Sequence, residues 1–204
     1  MRIIGGDLRG RRLAAPPGKA TRPTADRVRQ ALFDMLLHAP WAGEDTVKGA
    51  RVLDAFAGTG ALGLEALSRG AAEAVFFETD ARSRRVLAAN IAACGLGDRA
   101  QVLAADATRP PPGAPCTLLL CDPPYADEYL PARAIAALAA AGWIAPGALI
   151  ALEAGSRLAP PMLGTPLAER RHGAAQLLFF RAEPSTSARK AASGPIGESK
   201  DQAR

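Results

Sequence analysis

Cysteine is scarce in this chain, with three in 204 residues. Cys94, Cys116 and Cys121 show neither C-x-x-C nor Cys/His ligand spacing, so neither a zinc site nor a disulfide framework is expected, and no metal ligand is assigned. Cys116 and Cys121 flank an apolar run and read as small core residues, not as reactive thiols. Long apolar stretches are missing as well. None is long enough to cross a bilayer, and Met1-Arg2-Ile3-Ile4-Gly5-Gly6 is too short in apolar residues for a secretory leader. A cytoplasmic chain with no membrane partner is expected. Charge of one sign is only mildly in excess, 25 Lys and Arg against 20 Asp and Glu, a formal +5. That gives a moderate affinity for polyanions.

What is present describes a globular chain of one domain, 49% hydrophobic and 22% charged. The basic excess is carried by arginine more than lysine, which suits bidentate contacts to phosphate. It is dense at the start: Arg2, Arg9, Arg11 and Arg12, then Arg22, Arg27 and Arg29. Gly5, Gly6 and Gly10 interleave with the first of these and predict a short hairpin. A helix follows, with Thr24 as its N-cap and Val28, Ala31, Leu32, Met35 and Leu36 on one face. The two readings of the arginines are a solvated arm and an electrostatic footprint for nucleic-acid phosphates.

The centre of the chain is Val52-Leu53-Asp54-Ala55-Phe56-Ala57-Gly58-Thr59-Gly60, a buried strand entering a glycine turn, with a helix from Ala61. Gly58, Gly60 and Gly63 spell G-x-G-x-x-G, so a nicotinamide or flavin site competes at this point. Further strands are expected over 72–78, 101–105, 117–121, 149–153 and 175–180, with helices over 83–93 and 132–141. Strands alternating with helices imply an α/β fold with a mainly parallel sheet covered on both faces. The last two strands, joined by a short turn, are expected to form an antiparallel edge. His172 receives no role.

Three acidic residues, Asp54, Glu78 and Asp106, stand at or near the ends of successive strands. Singly, each could be a turn former; parallel strands bring all three to one rim. A fourth strand runs into Asp122-Pro123-Pro124-Tyr125. The prolines fix φ and remove two donors, which leaves the carbonyls of Asp122 and Pro123 and the Asp122 carboxylate as acceptors on a stiff loop. Tyr125 offers a flat face for a base. Such a loop can hold an exocyclic amine by its hydrogens, without distinguishing adenine N6, cytosine N4 and guanine N2.

The D-x-F-x-G-T-G-x-x-G string resembles the S-adenosylmethionine site of Rossmann-like class I methyltransferases, and D-P-P-Y resembles the amino-methyltransferase signature. With Arg-Ile-Ile-Gly-Gly, Arg9-Gly-Arg11 and Thr21-Arg22-Pro23-Thr24, residues 1–180 resemble the bacterial RsmD-type 16S ribosomal RNA guanine-N2 methyltransferases. The resemblance implies a seven-stranded Rossmann-like methyltransferase fold, S-adenosylmethionine as cofactor, and transfer to the N2 of a guanine (guanine 966 in the family) in 16S rRNA. The partner would be that RNA or the small ribosomal subunit, met by a monomer. Asp54 and the backbone of Gly58, Thr59 and Gly60 would face the methionine end of the cofactor, Glu78 its ribose hydroxyls and Asp106 its adenine amine, with Phe56, Thr79 and Ala107 also in the cofactor site. Asp122 would touch both cofactor and base, with Pro123, Pro124 and Tyr125 completing the catalytic loop. Arg2, Arg9, Arg11, Arg22, Arg27 and Arg29 would bind RNA. Residues 1–38 would form an RNA-contacting extension, 39–183 the methyltransferase domain and 184–204 a disordered tail. The competing readings are an adenine-N6 methyltransferase on RNA or DNA and a non-catalytic nucleic-acid-binding module.

Overall fold

The computed structural model describes residues 1–15, 23–155, 165–173 and 175–183. Seven strands form one sheet: β1 (Arg51–Asp54), β2 (Glu73–Phe77), β3 (Ala100–Leu103), β4 (Cys116–Cys121), β5 (Ile144–Gly155), β6 (Ala168–His172) and β7 (Ala175–Arg181). Their order is β3-β2-β1-β4-β5-β7-β6. β1 to β5 pair in parallel, and β7 runs antiparallel between β5 and β6. The chain winds outward from β1 to β3 and returns to β4 on the other side of β1. This reversal is the switch point where open α/β sheets bind ligands, beyond the carboxyl ends of the strands.

Alternation along the strands sends side chains into two cores. Val52, Leu118, Leu120, Ala151 and Phe179 join the first, with α1 (Pro23–His38), α2 (Ala61–Ser68) and α3 (Ala81–Cys94). Leu53, Leu119, Cys121, Ile150 and Phe180 join the second, against α4 (Leu130–Ala140) and Trp143. Both faces are covered, which is why the central strands read as continuous apolar runs. All three cysteines are buried thiols. Ile3 and Leu13 of the amino-terminal segment, and Val28, Leu32, Phe33 and Leu36 of α1, belong to the first core.

Several boundaries differ from expectation for identifiable reasons. α1 begins at Pro23, so Thr24 lies inside the first turn and not at the cap; proline at the start of a helix gives up a donor that would be unpaired anyway. β5 begins five residues early, at Ile144, because the Pro146-Gly147 stretch is absorbed by an irregularity in its pairing with β4. β6 was not expected. Its sequence, Ala-Glu-Arg-Arg-His, carries no apolar alternation, since an edge strand with charged side chains resists further pairing. The short turn therefore joins β6 to β7, and not β5 to β7. The expected tail, 184–204, lies outside the described residues.

Candidate active site

The carboxyl ends of β1, β2 and β4 and the loop after β3 surround a cavity of about 800 Å³. Asp54, Phe56, Gly58, Thr59, Glu78, Thr79, Asp106, Ala107, Asp122, Pro123, Pro124 and Tyr125 all line it. Gly60 stands behind the wall as the N-terminal cap of α2, with φ of 84°. A Cβ there would fall 2.3 Å from Leu87 Cδ1, so both conformation and space require glycine. The next turn is as tight: a Cβ on Gly63 would meet the Phe76 ring at 2.3 Å. The helix thus starts hard against the sheet, and its Gly63 N–H donates to Asp54 Oδ2 at 2.9 Å.

The second oxygen of Asp54 is buried with no hydrogen-bond partner. This carboxyl is raised to about 7, chiefly by burial, with the Gly63 N–H opposing the rise and the charge of Glu78 adding to it. An unpaired acceptor of this kind fits a ligand ammonium. Glu78 is already anchored: Oε2 accepts from Gly58 N and Oε1 from Asp80 N, each at 2.7 Å. Each oxygen keeps a further lone pair, enough for a pair of vicinal hydroxyls. Asp106 Oδ1 accepts both the N–H and the O–H of Thr108, at 2.8 and 2.7 Å, while Oδ2 lies 3.5 Å from Arg109. Those Thr108 bonds, chiefly, hold its carboxyl below the usual range. One oxygen of Asp106 therefore does the work of a turn former, and the residue still reaches the cavity. The donor set fits an amino acid, a ribose and a base laid across three strand ends.

The loop after β4 carries the second half of the site. Pro123 is buried, whereas Asp122 is exposed where it opens onto the cavity. Crowding, then Glu153, then Asp54, raise its carboxyl above the ordinary range. Tyr125 is 50% exposed, and Gly155 lies so close beneath it that a Cβ there would stand 3.2 Å from Tyr125 Cβ and Cγ. Its O–H donates to Glu153 Oε1 at 2.6 Å, so the ring is fixed at both ends.

The amino-terminal segment does form a hairpin, through Ile3 N to Arg11 O and Leu13 N to Met1 O at 2.9 and 3.0 Å. It is clamped onto α2, where Glu65 accepts Ile4 N and Gly5 N at 2.8 Å each. Asn90 of α3 bonds both Ala14 and Thr59, tying the hairpin's end to the glycine turn. Arg2, Arg9, Arg11 and Arg27 are exposed, and Arg22 lies outside the described residues. Arg29 is a correction. It is 4% exposed, bonded to Asp26 at 2.9 Å and to Arg2 O at 2.6 Å, and 3.6 Å from Glu65. Its charge is spent inside the protein and is not free for a phosphate in solvent.

A family profile described as "Conserved hypothetical protein 95" matches residues 1–181. Ribosomal RNA small subunit methyltransferase D of Escherichia coli strain K12 is 42% identical over 155 residues, 75% of this chain and 74% of that protein. The chain belongs to this RsmD-type family. Among solved structures, the putative methyltransferase yhhF from Escherichia coli superposes with a TM-score of 0.77 at 36% identity, covering 90% of this chain and 98% of that one. An RNA methyltransferase from Salinibacter ruber, in complex with S-adenosyl-L-homocysteine, reaches 0.58 at 14% identity over 90% and 100% of the two chains. It supports the Rossmann-like class I fold.

Two residues of this RsmD-type chain went unassigned in the sequence and matter in the structure. Glu153 lines the cavity at the carboxyl end of β5, one residue beyond the apolar run that gave the strand away. The strand-end rhythm of Asp54, Glu78 and Asp106 would have included it. Glu65 is fully buried in α2, bonded to Arg69 at 2.8 Å and to the hairpin amides. Its only trace is a lone acid in an apolar helix.

Proposed function

We propose that the chain transfers a methyl group from S-adenosylmethionine to the N2 amine of a guanine in small-subunit ribosomal RNA. The observation that carries this reading is one cavity lined by both Asp54, whose Oδ1 has no hydrogen-bond partner, and the Asp122-Pro-Pro-Tyr loop, on either side of the switch point. The name of the Escherichia coli relative supports the coarser reading, a methyltransferase of small-subunit rRNA. S-adenosylmethionine, when bound, supplies an electrophilic methyl group on a sulfonium. Asp54 would hold its ammonium, Glu78 its ribose hydroxyls and Asp106 its adenine amine, all by charge-assisted hydrogen bonds.

The target base has to leave its stack, at a cost of a few kcal/mol. Tyr125 offers the stacking face, and Arg2, Arg9, Arg11 and Arg27 bind the phosphates. Asp122 and the Pro123 carbonyl would take the two amine hydrogens and direct the nitrogen lone pair at the methyl. As the N–C bond forms, the amine becomes positive, and the Asp122 carboxylate stabilises that charge. The Asp122 carboxylate lies on the cavity wall beside the amine and is placed to receive the departing proton. Because the substrate is cytosolic RNA, we place the activity in the cytoplasm.

The test is single-turnover methylation by Asp122→Ala beside equilibrium binding of RNA and of S-adenosylmethionine. Rate should fall by at least about a hundredfold while both affinities stay within a few-fold. A normal rate removes Asp122 from the chemistry.

A further inference from the structure

Asp122 does not stand alone at the mouth of the cavity. The register pairs Cys121 with Leu152, so Asp122 and Glu153 leave adjacent parallel strands side by side, about 4.8 Å apart in backbone terms. Glu153 Oε1 is occupied by the Tyr125 O–H at 2.6 Å. Among the described residues Oε2 accepts no hydrogen bond, and the residue lines the cavity. Gly155 packs closely beneath the Tyr125 ring, and the bond from its O–H to Glu153 orients it. A stacking face and a free carboxylate oxygen are therefore held in fixed relation.

We propose that Glu153 selects the base, its free Oε2 accepting the N1–H of guanine while Asp122 and the Pro123 carbonyl hold the N2 amine. The inference rests on the proposed guanine-N2 reading and explains how that choice would be made. Guanine presents an N–H donor directly beside its exocyclic amine. Adenine and cytosine present a ring nitrogen lone pair at the corresponding position. A carboxylate is an acceptor only, so two neighbouring acceptors match guanine and set a lone pair against a negative charge in the other two. Burial leaves the Glu153 carboxyl raised, and the Tyr125 hydrogen bond, Arg29 and His172 offset part of that rise in favour of its charged form. Buried Arg29, unable to serve RNA phosphates, thereby has a place: it lines the same cavity and helps keep Glu153 an acceptor.

The probe is 2,6-diaminopurine, which keeps the N2 amine but carries a lone pair at N1. Single-turnover rates are measured on assembled small-subunit particles whose RNA carries either guanine or 2,6-diaminopurine at the target. The wild-type chain should favour guanine by at least about a hundredfold, because the analogue leaves a buried acceptor unpaired. Glu153→Gln keeps an oxygen for Tyr125 and presents an N–H to N1, and should shrink that preference to within about tenfold. Melting and S-adenosylmethionine binding of the variant report its fold, and the wild-type comparison stands even if the variant fails to fold. Equal use of the two bases by wild type, or an unchanged preference in a folded Glu153→Gln, overturns the role of Glu153 and leaves the guanine-N2 reading intact. Absence of methyl from guanine N2 with wild type overturns that reading and the inference with it.

Discussion

Replacing Glu65 with alanine should cost far more than the loss of one side chain. The carboxylate is fully buried and accepts from Ile4 N, Gly5 N and Arg69 Nε, each at 2.8 Å, with Arg29 Nε farther off at 3.6 Å. Removing it strands the nearly buried Arg69 guanidinium, while Arg29 keeps Asp26 and the Arg2 carbonyl, and breaking a buried pair in this way costs about 3–5 kcal/mol. The two freed amides need not stay unpaired, because the hairpin can lift off α2. Lifting would expose Ile3 and Leu13, at about 1.5–3 kcal/mol each, so the less costly relaxation governs and the total stays at roughly 3–6 kcal/mol. For a domain of this size that is a fall of about 6–24 °C in Tm. Differential scanning calorimetry reads the loss, and amide exchange over residues 3–13 shows whether the hairpin has detached. Glu65→Gln, which keeps one acceptor, should lose less. A Glu65→Ala melting temperature within about 3 °C of wild type would refute the view that this carboxylate holds the hairpin.

Asp54 makes cofactor binding proton-linked. Its carboxyl is raised from 3.8 to about 7 in the folded chain, so the native state retains a proton that the unfolded chain has released. The Asp54 contribution to ligand-free stability is therefore fullest below about pH 4 and falls as pH rises toward 7, a component of the pH dependence that Asp54→Asn should remove. S-adenosylmethionine affinity should climb between pH 5 and 7, with proton release visible by calorimetry in buffers of different ionisation enthalpy; a pH-independent affinity would contradict the ammonium assignment. Glu78→Ala should weaken S-adenosylmethionine binding at least tenfold and leave RNA binding within a few-fold, both measured at equilibrium. Double substitution of Arg9 and Arg11 should weaken RNA binding across sequences and flatten the dependence of log affinity on log salt by about one unit for each phosphate no longer neutralised, with cofactor affinity unchanged.

The sheet was legible in the sequence where burial on both faces writes a continuous apolar run, as in Val52-Leu53 and Leu118-Leu119-Leu120. It was illegible in β6, whose outward charges are what an edge strand needs. Asp54, Glu78, Asp106 and the D-P-P-Y loop could be placed together because parallel strands share one rim. Glu153 ends the next apolar run and belongs to the same rhythm, but its place beside Asp122 was not legible, because that depends on the register of β5 against β4, which a long irregular strand hides. Arg29 shows the reverse failure. In the sequence it is one more basic residue beside Arg27; only the helix rotation that turns one outward and the other onto Glu65 separates a surface charge from a buried one.

The central claim is methyl transfer to guanine N2, and mapping the methylated base tests it most directly. Small-subunit particles from cells lacking this methyl group are incubated with the chain and with S-adenosylmethionine labelled in its methyl group, and the RNA is digested and the modified nucleoside identified. The account predicts a single labelled product, N2-methylguanosine, absent with Asp122→Ala. Label in N6-methyladenosine or N4-methylcytidine, or none at all from a chain that binds S-adenosylmethionine, would contradict it.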